Sequence, residues 1–184
     1  MEINLEKYDN LWYHPGRNGL VRLLWYYVNI IIFLNRWLPF YGLKTFTLRL
    51  FGAKVGSHVV IKPHTNIKYP WRLTIGDNVW IGENVWIDNL ADIQIGNNVC
   101  ISQGAMLLTG NHNYKSPTFD LMTGEINIED GAWVGANAVL CPNTKMRSHA
   151  ILTVGSVASG ELEAYGIYQG NFATKKKQRI IENI

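Results

Sequence analysis

An imidazole near its ordinary pKa of about 6.5 can take a proton from a hydroxyl at neutral pH and return it later in the same reaction. The sequence holds five histidines, and their settings differ. His14 lies in the N-terminal leader, while His58, His64 and His149 fall at solvent-side positions of a repeating pattern. His112 stands in "LLTGNHNYKSPTFDLMTGE", residues 107–125, where Gly, Asn, Ser and Pro displace the aliphatic rhythm found on either side. A base on a loop thrown out from a rigid wall suits acid–base chemistry. Read without that context, one histidine is a polar surface residue. Metal chemistry is not expected, because His58 and His64 are six apart and no His-x4-His pair exists. The two cysteines, Cys100 and Cys141, form no CxxC pair and read as buried, reduced thiols of a cytoplasmic protein.

The wall that must hold such a loop is written in a six-residue rhythm. Aliphatic residues occupy Val55, Ile61, Ile67 and Leu73, then Ile75, Ile81, Ile87 and Ile93. Further on come Ile95, Ile101 and Leu107, and after the interruption Ile128, Val134, Leu140, Met146 and Leu152. Units such as "IGDNVW", "IGENVW" and "VGANAV" share one template. Period six fits neither an α-helix nor a lone strand. It fits a coil with flat faces, where each hexad forms a short strand with its aliphatic residue inward and Gly, Asn or Asp takes the turn. Three hexads close one triangular coil, and stacked coils cover one another's apolar faces. A mainly β fold follows: a parallel β-helix over 55–160 with a loop at 108–127, preceded by a leader and apolar helical cap at 1–54. Residues 161–184 form a short C-terminal appendage.

"LLTGNHNY", followed after a loop by "INIEDGAWVGANAVLCPNTKM", resembles the acetyl-coenzyme A-dependent O-acetyltransferases of the sugar and maltose/galactoside group. "RLFGAKVGSHVVIKPHTNIKYPWRLTIGDNVWIGENVWI" further resembles their colanic-acid branch, which acts in exopolysaccharide synthesis. The resemblance implies a left-handed coil and homotrimers whose active sites lie between subunits. It implies His112 as the general base toward a sugar or glycan hydroxyl. By position it points to Asp88, Asn89 and Tyr114 for the acceptor. Coenzyme A would meet Trp133, Gly135, Ala136, Val154, Gly155, Ser156 and Ser159, with Lys175 or Lys176 toward its phosphates. Gly135 and Gly155 also read as plain turn glycines. The chain departs from the family at its end, where the usual "GNPAK" stands as "GNFATKKK" and the Leu-Pro-Pro lead-in as "ELEAYG".

Composition narrows the rest. With 47% hydrophobic, 12% aromatic and 17% charged residues, the chain is globular rather than disordered. A net charge of +3 does not suggest nucleic acid, and "KKKQR" is either solvated surface or a phosphate contact. The beginning, "MEINLEKYDN", lacks the basic start of a signal peptide. The stretch Gly19 to Phe40 is apolar around most of a helix, with Arg22, Asn29 and Arg36 on one narrow stripe. Such a helix must be covered, by core, by a subunit or by the inner face of a membrane in peripheral contact. Rival readings are a β-helical carbonic anhydrase, acyl transfer from acyl carrier protein, N-acetylation of an amino-sugar or drug-like acceptor, and a scaffolding trimer without catalysis.

Overall fold

The sixteen aliphatic positions turn inward. All but Val55 are at most 2% exposed, and Val55 is half-buried in the first coil. The structure is a computed structural model that describes residues 2–182. Hexads stack as three walls of parallel strands. The first wall holds Lys54–Val55, Leu73–Ile75, Ile93–Ile95, Ile126–Ile128, Lys145–Met146 and Glu161–Leu162. The second begins at Val60–Ile61 and ends at Gly166–Gly170, with Ala173–Gln178 added antiparallel at its edge. The third runs from Asn66–Ile67 to Val157–Ala158. Register is kept from coil to coil, so Ile61, Ile81, Ile101, Val134 and Leu152 form one buried column.

The corners explain the polar letters of the repeat. Asn78, Asn84, Asn98, Asn137 and Asn143 adopt the left-handed conformation, and so do His58, His64 and His149, with φ between 54° and 64°. These histidines therefore serve as turn residues in asparagine's place. One edge carries a ladder of side-chain acceptors: Ser57 N donates to Asp77, Asp77 N to Asn97 and Asn97 N to Asp130, at 2.6–2.8 Å. Gly135 has a different reason to be glycine, because a Cβ there would lie 2.6 Å from Val154 N in the next coil. Its turn-glycine reading is thus corrected to one of close coil stacking. Gly155, at φ +64°, is a turn glycine.

The outward rows divide sharply. On the first wall they are polar: Lys54, Thr74, Gln94, Asn127, Lys145 and Glu161. On the second they read Val60, Trp80, Cys100, Trp133, Ile151 and Ile167. On the third they read Asn66, Trp86, Met106, Val139 and Val157.

The apolar stretch 19–40 does not make one helix. It forms α1 (Gly19–Val28), capped by the Asn18 side chain on Val21 N, and then a single π turn over Asn29–Phe33. A turn leads to α2 (Tyr41–Leu50). α2 closes the first coil: Leu48 is fully buried, Lys44 Nζ donates to Ile61 O and Lys62 O, and Arg49 donates to Val55 O and Gly56 O. At the other end the stack continues past the expected boundary at 160. Glu161–Leu162 pairs with Lys145–Met146, and Gly166–Gly170 with Ile151–Leu152, so much of the appendage is a sixth coil.

Candidate active site

The interruption is itself ordered. Gly110–His112 pairs antiparallel with Leu121–Thr123, making a hairpin that projects from the corner between third and first walls. Its base is pinned by Thr109, whose hydroxyl donates to Asp88 O and accepts from Ala91 N, and whose carbonyl accepts from Gly124 N. At the tip, Asp120 accepts from the Thr118 and Ser116 hydroxyls at 2.5 and 2.7 Å. Those bonds, Thr118 first, hold the Asp120 carboxyl below the usual carboxylate range. They also shape the turn in which Phe119 adopts φ +55°.

That turn presents the Phe119 carbonyl to His112. Nδ1 lies 2.8 Å from Phe119 O, and the two rings stack at 4.5 Å with an 11° tilt. A carbonyl oxygen can only accept, so the neutral ring carries its proton on Nδ1 and keeps a lone pair on Nε2. The arrangement is that of an oriented base.

The leader completes the surroundings. Asn4 N donates to Pro117 O, Tyr13 OH to Leu90 O, Trp71 Nε1 to Pro15 O and Arg72 to His14 O. Strapped in this way, it borders a cleft of about 380 Å³ lined by Tyr8, Asn10, Tyr13, Arg22, Lys68, Tyr69, Leu90 and His112. Burial pushes the Tyr13 phenol up to about 12, so it remains a donor. None of these cleft partners is marked by the repeat or the motif. The signal that could have found Lys68 and Tyr69 is "IKYPW", since Ile75 on the next wall comes eight residues after Ile67.

Of the expected acceptor residues, Asn89 is corrected. It is fully buried, and its amide both accepts from Tyr69 N and donates to Tyr69 O, which makes it a structural clip. Asp88 lies beside Lys68, 2.9 Å from Nζ, close enough to pair but not aligned as a hydrogen bond. It lines the neighbouring cleft along α1 rather than that of His112. Tyr114, three-quarters exposed, does not line the His112 cleft either.

The chain is 35% identical over 167 residues to a protein named as a colanic acid biosynthesis acetyltransferase, WcaF, of Escherichia coli K12, covering 90% of this chain and 91% of that one. It belongs to the hexapeptide-repeat acetyltransferases. No protein-family profile matches the chain. Among solved structures, a hexapeptide-repeat acetyltransferase of Vibrio cholerae in complex with acetyl coenzyme A aligns with TM-score 0.79 at 18% identity, over 88% of each chain. A maltose O-acetyltransferase of Clostridium difficile aligns with TM-score 0.75 at 16% identity, covering 89% of this chain and 90% of that one.

For this acetyltransferase the residues expected around coenzyme A fall on the second wall and the corner beyond it, except Ser159, which lies at the corner between third and first walls. Trp133 is 45% exposed and donates to Ser102 Oγ. Ala136, Val154, Gly155 and Ser159 are at least partly open to solvent, whereas Gly135 is buried. Ser156 is corrected: it is 1% exposed, and its hydroxyl is engaged with Thr153 and accepts from Gly170 N. Lys175 is tied to Glu163 at 2.6 Å, while Lys176 stands exposed on the same strand. Lys177, absent from the expected set, lines a cleft of about 440 Å³ with Trp133 and Arg179. One chain does not bring the second-wall groups to His112, because the third wall separates their corner from the hairpin, and Ser159 shares the hairpin's corner but lies two coils further along the stack. Burial pushes both the Cys100 and Cys141 thiols up, which suits neither to nucleophilic attack.

Proposed function

We propose that the protein moves an acetyl group from acetyl-coenzyme A to a hydroxyl of a sugar or exopolysaccharide precursor, with His112 as general base. The observation that carries this reading is the Nδ1 contact to Phe119 O inside an open cleft. Nε2 takes the hydroxyl proton as the oxygen attacks the thioester carbon. The tetrahedral intermediate then collapses, the C–S bond breaks, and the imidazolium returns its proton to the leaving thiolate. Direct transfer fits the unreactive thiols. The WcaF relative supports the acceptor class through its name, and the Vibrio structure supports the donor through its complex.

The working unit in this reading is a homotrimer. A three-sided prism with one polar outer row and two apolar ones suits a closed ring, second wall of one copy against third wall of the next. Trp80, Trp86, Met106 and Trp133, 38–63% exposed in the single chain, would be covered there. Such packing also brings a His112 hairpin toward a neighbour's coenzyme residues.

The test is thiol release from acetyl-coenzyme A over a panel of sugars. His112→Ala is expected to lose at least about 10²-fold in kcat while still binding coenzyme A. Equal activity in the variant would place the base elsewhere. Release with amino-sugars alone would move the reading to N-acetylation.

A further inference from the structure

The helical cap is apolar on its outer side as well as its inner one. α1 and the π turn after it point Trp25, Asn29 and Phe33 inward, where Trp25 Nε1 donates to Ile67 O and Asn29 Nδ2 to Asn66 Oδ1. α2 buries Lys44, Thr45 and Thr47. The side turned to solvent carries Leu20, Leu24, Ile31, Trp37, Phe46 and Leu50, 54–90% exposed. A water-facing helix ordinarily keeps that outer side polar. Large apolar side chains left exposed in such number mark a place where something docks.

Charge indicates what docks. Between Asn10 and Gly76 the chain has nine Lys or Arg and no Asp or Glu, whereas the rest holds eight cations and fourteen carboxylates. Arg17, Arg22, Arg36, Arg49, Lys54 and Lys62 are all exposed. Pairing this face with a second copy of itself would set those cations against one another. An anionic bilayer surface matches both features: headgroups meet the cations, and the aliphatic and tryptophan side chains enter the acyl boundary. No helix among the described residues is long and apolar enough to cross a membrane, which agrees with a seat on its surface.

We infer that the face formed by α1, the turn around Trp37 and α2 docks on anionic lipid bilayers. The seat brings Arg22, which also lines the His112 cleft, to the headgroup layer. The inference goes beyond acetyl transfer and stands without it.

The full chain is sedimented with vesicles of equimolar phosphatidylglycerol and phosphatidylcholine, and with phosphatidylcholine alone. Partition onto the anionic vesicles is expected to exceed that onto the neutral ones by at least about tenfold and to weaken with added salt. Leu24→Glu with Ile31→Glu is expected to remove it, with thiol release toward soluble sugars and solution mass unchanged. Trp37→Ala, in the turn outside both helices, is expected to reduce it about threefold. The inference is overturned if the wild-type chain stays in solution with anionic vesicles, or if the double variant sediments as well as wild type. It is equally overturned if the double variant lowers the solution mass, since a second copy then covers the face.

Discussion

At the scale of single residues, the hairpin depends on a relay that ends in one imidazole. Asp120 touches neither cleft nor His112; it holds the Ser116 and Thr118 hydroxyls, and that turn aims the Phe119 carbonyl. It is a positioning residue. Asp120→Ala is expected to lower kcat on the order of ten- to a hundredfold and leave the KM for acetyl-coenzyme A unchanged. Steady-state kinetics with both substrates varied checks this, and a rise in KM alone would give Asp120 another role. The sign of the pH effect follows from the lowered carboxyl. Asp120 contributes its ordering fully above the ordinary carboxylate pKa of about 4 and loses it as pH falls through the depressed folded value. Wild type is therefore expected to keep its hairpin order below pH about 4, where chemical shifts around His112 report it.

At the scale of elements, the cap carries a titratable group where the solenoid would otherwise expose an edge. Burial pulls the Lys44 ammonium down to about 8 from an ordinary 10.5. The folded chain thus releases this proton before the unfolded one does, and stability rises from pH 8 toward 10.5. Tyr13 acts oppositely above its ordinary 10.0 and the raised Cys100 and Cys141 thiols above their ordinary 9.0, so the window to read is pH 8 to 9. Denaturant midpoints are expected to rise across that window in wild type and stay flat in Lys44→Met.

What the sequence showed of these elements follows from the kind of contact that forms them. The coils were legible because each inward residue meets its equivalent one coil away, so the packing rule repeats along the chain. His112 was legible by contrast with that rule. The cleft was not, because Tyr13, Trp71 and Arg72 reach partners 56 to 77 residues distant through single bonds that no period records. Asn89 and Ser156 depart from their expected roles for a related reason. Alignment by position places a side chain near a site but does not say whether its polar atoms are already engaged.

At the scale of the whole molecule, one outer row is polar and two are apolar, and in the proposed trimer the two apolar walls meet other copies. Trp86→Arg with Met106→Arg, on the third wall, is expected to shift the solution mass to a single chain and abolish thiol release. The circular dichroism of the coils should remain, because both side chains point away from the column that holds the stack. Light scattering decides it; an unchanged mass would mean the copies join elsewhere.

Thr109 and Gly124 meet at the root of the hairpin, and the strands before and after it take their places in the stack as if it were absent. The stack is therefore indifferent to what is written between those two residues. That segment can be lengthened, shortened or recomposed without changing how the coils before and after it pair, so the hairpin and the stack are free to vary separately.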